Sequence, residues 1–174
     1  MPVIRSALDG LYKAAGVAAA LCLIAILFLI VIQMVARWTG EVFPGAPNYA
    51  GYAMAAASFL AFASALNNGA HIRVSILLKA VPDRVKWVLE IWCFAMASAI
   101  AAYFVYYAYW FVFWSWKFNE VSQAQDATPL WIPQAVMVIG AGILLIAFLD
   151  NLAAVLMKGT HRMGSSVVDQ SFGE

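Results

Sequence analysis

The sequence predicts an all-α integral membrane protein: four transmembrane helices, a short interfacial helix between helices 2 and 3, and both the N and C termini cytoplasmic. Three observations predict it. The chain is 65% hydrophobic and only 11% charged, with a mean hydropathy of +0.84, far from the balance of a water-soluble domain. Its apolar residues come in blocks long enough to cross a hydrocarbon core of roughly 30 Å, not in the amphipathic periods of a soluble core helix. Its cations gather on alternate connections, as a multi-pass chain requires. A net charge of only +1 argues against nucleic acid as a partner, since phosphate binding needs clustered excess Lys and Arg.

The whole chain, 1–174, reads as one membrane domain. The first span covers about 14–38: no charged side chain occurs from Ala14 to Ala36, and ten Leu, Ile, Val or Phe residues fill Leu21 to Ile32. That centre favours insertion by about 3–6 kcal/mol. Val35-Ala36-Arg37-Trp38 lacks a small-x-small cleavage pattern, so this span is expected to be retained.

The second span, about 49–68, is built largely of alanine, with Ala53, Ala57, Ala61 and Ala65 spaced every four residues. Such a flat face admits close approach of another helix, either the chain's own or a partner subunit's. The third, about 86–116, exceeds the minimum span and crowds aromatics, among them Tyr106 and Trp110, into its second half. It must tilt or protrude, and Trp and Tyr place its end at an interface. The fourth, about 131–157, follows Pro129 and has Pro133 in its first turn, with Gly140 and Gly142 as a small-residue patch near mid-span.

Orientation follows from counting cations. Arg5 and Lys13, then Arg73, Lys79, Arg84 and Lys86, then Lys158 and Arg162 fall on one side, and only Arg37 and Lys117 on the other. The first set is therefore expected in the cytoplasm, in a bacterial inner membrane. Between the second and third spans, about 70–81, Val74, Leu77, Leu78 and Val81 share one side of a helix while His71, Ser75 and Lys79 share another. This reads as a helix lying in the headgroup layer, with Arg73 interrupting the apolar arc and Pro82 ending it.

The stretch from Phe59 to Leu78 runs an alanine-rich helix into Gly-Ala-His-Ile-Arg-Val-Ser-Ile-Leu-Leu, and Thr128-Pro129-Leu130-Trp131-Ile132-Pro133 leads into a Gly-containing last helix. This combination resembles the small permease subunit, the DctQ-like family, of tripartite ATP-independent periplasmic (TRAP) transporters. The likeness covers essentially the whole chain. One position departs: Ser75 stands where an aspartate is common in the family, so no charge-based role is carried to it. The resemblance implies three parts: a periplasmic substrate-binding protein that captures an organic acid, a large permease subunit holding the substrate and sodium sites, and this small subunit as scaffold. Two other readings stay open, the small subunit of a tricarboxylate tripartite transporter and a structural or assembly membrane protein with no transport role.

Searching for chemistry returns mostly absences. His71 and His161 lie outside the spans, so a bis-histidine haem anchor lacks ligands. Cys22 and Cys93 both sit inside apolar blocks, offering neither a disulfide framework nor metal-ligand spacing. The first span has only Gln33 as a long polar residue, where a small multidrug antiporter needs an acid. No catalytic residue, cofactor or metal is expected, and sodium coupling is expected on the partner subunit.

Glu90 and Asp150 are the intramembrane acids. Each either pairs locally, with Lys86 and Lys158 in reach, or meets a cation on another subunit. The candidate contacts to the large subunit are Ala53, Ala57, Ala61, Ala65, His71, Arg73, Glu90, Tyr106, Trp110 and Asp150. Arg37, Glu41, Lys117, Glu120 and Asp126 form the outer polar surface, either ordinary solvated loops or a docking platform for the binding protein.

Overall fold

The computed structural model describes residues 2–41, 44–67, 83–124 and 126–158. Among these residues are four helices: α1 (Pro2–Thr39), α2 (Ala46–Asn67), α3 (Asp83–Lys117) and α4 (Trp131–Lys158). All four are long and apolar enough to cross a membrane. The interfacial helix expected over about 70–81 lies outside the described residues. Helix α1 begins well before its uncharged stretch. At 38 residues and 1.5 Å per residue it is about 57 Å long, nearly twice the hydrocarbon thickness. Nothing in its first twelve residues stops a helix: Pro2 sits in the first turn, where its missing N–H costs nothing, and Gly10 is isolated.

Both helices that run toward the two described loops stop in the same way. At the end of α1, Gly40 takes φ +82°, the Glu41 amide donates to the Ala36 carbonyl at 2.9 Å, and the Gly40 amide donates to Arg37 at 3.4 Å. At the end of α3, Asn119 takes φ +49°, with Glu120 donating to Ser115 at 3.0 Å and Asn119 to Trp116 at 3.2 Å. These paired bonds around a left-handed residue satisfy carbonyls that a helix end otherwise leaves open, and glycine or asparagine adopts that backbone at least cost.

The helices stand in a row, α1–α2–α4–α3. Helix α2 packs against α1 on one side and α4 on the other, α3 packs on α4, and α1 touches α4 only marginally. A bundle of four spans, as the hydropathy alone suggests, is thus opened out. Small residues set the seams. A Cβ at Gly140 of α4 would lie 2.7 Å from the carbonyl carbon of Phe59, so α2 and α4 touch backbone to backbone. A Cβ at Gly16 of α1 would lie 2.8 Å from the side-chain hydroxyl of Ser64 on α2.

At the end carrying the termini, Tyr12, Ala63, Leu66 and Ala147 from α1, α2 and α4 form the buried core, with Leu8, Phe94, Ile143, Leu144 and Phe148 packed around it. Further along, α2 and α3 splay apart and meet through the stacked rings of Phe59 and Phe104, 5.8 Å between centroids. Between them lies an apolar groove of about 350 Å³ floored by Ala141 and Leu144.

Candidate functional site

The two loops at the far end from the termini are joined by one carboxylate. Asp126, in the α3–α4 loop, accepts a hydrogen bond from Asn48 Nδ2 at 3.1 Å and from the Tyr52 hydroxyl at 3.1 Å, both on α2. Within its own loop it accepts from Ser122 Oγ at 3.0 Å. Asn48 and Tyr52 lie one turn apart at the start of α2, so both side chains point to the same place. Gly45, at φ +81°, brings the first loop so close that a Cβ there would lie 3.0 Å from that of Asp126. The hydrogen bonds from Thr128, Ser122 and Tyr52 favour the charged form, and the Asp126 carboxyl is held below its usual range although partial burial works the other way. A single bridge between Val121 and Pro129, with Ser122 donating to Thr128 at 2.8 Å and Leu130 to Glu120 at 3.0 Å, folds the α3–α4 loop back on itself.

The other candidate residues at this end of the molecule are exposed. Arg37 and Glu41 are exposed at the end of α1. Exposed Lys117 holds its Nζ 4.8 Å from the centroid of the Trp114 ring, a cation–π contact. Glu120 is exposed but tethered, accepting from the buried Ser115 hydroxyl at 2.7 Å. The structure thus separates Asp126, which ties the loops together, from Arg37, Glu41, Lys117 and Glu120, which present charge outward.

The candidate contacts within the spans divide as well. Ala57 is buried, and Ala53, Ala61 and Ala65 are half-buried, on a helix that already has α1 and α4 for neighbours. Glu90 and Asp150 are half-buried near the end carrying the termini, each engaged in an interaction. Tyr106 and Trp110 are exposed, at 58% and 41%. His71 and Arg73 lie outside the described residues. Among the described residues no group of His, Cys, Asp and Glu is arranged to hold a metal ion.

Sequence reasoning missed four polar anchors, Asn48, Tyr52, Asn151 and Trp87. Asn48 and Tyr52 could have been found from their i, i+4 spacing on the first two turns of α2. Asn151 carries no such signal: it is 3% exposed within α4 and donates back to the Ala147 carbonyl at 2.8 Å. The Trp87 indole, donating to the Val155 carbonyl at 3.4 Å, ties the start of α3 to the end of α4.

Residues 26–157 match the model of the DctQ component of tripartite ATP-independent periplasmic transporters. The chain belongs to this family. The match takes in all of α2 and α3, the last third of α1 and nearly all of α4, and the family is that of a transporter component working with other components, not an enzyme family. No individually curated protein matches the sequence.

Proposed function

We propose that this DctQ-family chain is the static scaffold of a transporter that takes up an organic acid with sodium. It lies in the inner membrane with its termini in the cytoplasm, and a large permease subunit carries the substrate and ion route. The observation that carries this reading is the row α1–α2–α4–α3. A row of helices has two broad faces where a closed bundle has one outer surface, and a broad plate widens and anchors a neighbour without needing chemistry of its own. The buried polar side chains among the described residues, Ser98, Ser115 and Asn151, are scattered. Ser98 and Asn151 each donate to a carbonyl one turn back in their own helix. That supports a wall over a conduit, since an ion path needs converging polar groups or broken helices at mid-membrane.

The outward charges Arg37, Glu41, Lys117 and Glu120 suit a transient, electrostatically steered contact with a periplasmic substrate-binding protein, with Asp126 keeping the platform in shape. Deleting this chain tests the reading. Uptake should be lost while the isolated binding protein keeps its ligand affinity, and tagged purification should recover a large hydrophobic permease. Uptake that survives the deletion overturns the proposal.

A further inference from the structure

Helix α3 has one face turned to α4 and the opposite face turned to no other element among the described residues. Phe94, Ser98, Ala101, Val105, Ala108, Val112 and Ser115 recur every three or four residues and are buried or half-buried. Half a turn away, Tyr103, Tyr107, Trp110 and Trp114 form a second stripe with the same spacing, exposed by 67%, 55%, 41% and 43%. The Tyr103 and Tyr107 rings touch, 4.6 Å between centroids, and no hydrogen bond to either hydroxyl is found among the described residues.

Depth makes this stripe costly in lipid. At 35 residues α3 is about 52 Å long, so it overhangs a 30 Å core by about 11 Å at each end when the surplus is shared. Tyr103 lies fourteen residues before Lys117, which sets its Cα about 10 Å inside the hydrocarbon and that of Tyr107 about 4 Å inside. The Cα–Cβ bonds of a helix tilt toward its N-terminus, and here that direction leads to the bilayer centre. Both phenols therefore lean away from the nearer headgroups, and a polar group in hydrocarbon without a partner is expensive. Interfacial anchoring accounts for Trp110 and Trp114. It does not account for Tyr103 and Tyr107.

We propose that the Tyr103–Tyr107–Trp110–Trp114 stripe of α3 seats a transmembrane segment of the large permease subunit that presents hydrogen-bond acceptors at the depth of the two phenols. This rests on the reading of the chain as the small subunit of a transporter. Acyl chains offer no acceptor. A second copy of this chain brings the same donors, so in each phenol pair one hydroxyl donates and the other's proton stays unplaced. The exposed mid-span face of α1, Leu23, Leu27, Phe28, Ile30 and Val31, is apolar and offers no oxygen or nitrogen acceptor. An apolar helix carrying Ser, Thr or Asn, or an unwound stretch of backbone, supplies what the stripe lacks.

A benzophenone amino acid placed at position 103 or 107 of the full chain, co-expressed with its permease and irradiated in membranes, tests this, with positions 23 and 27 of α1 as comparison. Protein adducts with the permease should form from α3 and not from α1. Adducts from α3 to lipid alone, or to a second copy, overturn the proposal. Recovery of the permease with crosslinks from α1 in place of α3 overturns this face and leaves the scaffold reading standing, whereas recovery of no permease ends both. Tyr103→Phe with Tyr107→Phe keeps the rings and removes both donors. Association should weaken about sevenfold, the usual strength of two interhelical hydrogen bonds in lipid, and unchanged association would overturn the acceptor chemistry.

Discussion

Helices α2 and α3 both cross the membrane by length and hydropathy, and they spend their side chains in opposite ways. In the most apolar window of α2, 22% of residues are buried within the chain, against 6% in α3. Helix α2 is alanine-rich, flanked on both sides, and meets α4 so closely that a glycine is required opposite Phe59. Helix α3 is aromatic, has a single large seam, and leaves a row of tyrosine and tryptophan rings uncovered. In lipid, where apolar burial drives little association, backbones approach where side chains are small. The small residues therefore mark how this chain packs against itself. Its bulky amphipathic residues stay uncovered, and these are the ones we propose for contact with a partner.

Breaking the α2 side of that comparison should have the largest effect. Gly140→Ala puts a methyl group 2.7 Å from a backbone carbon, which cannot rotate aside. We expect a loss of about 1–3 kcal/mol of folding stability, more than the helix propensity that alanine adds, read as a lowered melting temperature in detergent. Gly142→Ala, with nothing within 4 Å, is the control and should be neutral or stabilising.

Asp126→Ala should come next. It removes the acceptor shared by Asn48, Tyr52 and Ser122, so in detergent-purified protein the α3–α4 loop should be cut by protease where the parent chain resists. The sign of the pH effect follows from the lowered carboxyl. Its contribution is whole above the ordinary value of 3.8 and is lost as pH falls below it through the folded value. Protease resistance of the parent should therefore be flat from pH 5 to 8 and fall only in stronger acid.

Gly16→Ala meets the Ser64 hydroxyl, a side-chain atom that can turn away. The clash and the gain in helix propensity nearly cancel, so a shift within about 1 kcal/mol is expected in the same thermal assay. Trp87→Phe should be smallest. It gives up one indole hydrogen bond at 3.4 Å, on the order of 0.6 kcal/mol in a membrane, and should sharpen the contrast by leaving the α2 seams untouched.

Hydropathy placed each of the four helices, because a run of some twenty apolar residues has few resting places other than a bilayer. It says nothing of how far α1 runs beyond its span, and the helix begins at Pro2 because no breaking signal intervenes before the uncharged stretch. The alanine stripe was legible as a packing face. Its neighbours were not, because a flat face looks the same whether its own chain or another covers it. Asp126 read as an outward charge from its place among loop residues, and the structure turns it toward Asn48 and Tyr52, more than seventy positions away in the chain.

By itself the sequence determined that four helices are long and apolar enough to cross a membrane, the alternation of cations and the family pattern around Phe59–Leu78, all of which depend on residues near one another in the chain. Only the tertiary structure decided that the helices stand in a row, that Gly140 meets Phe59, and that Tyr103 and Tyr107 look away from every other helix described. The physical reason is that membrane insertion depends on the summed hydropathy of a local segment, whereas helix order depends on which surfaces approach most closely across long sequence separations.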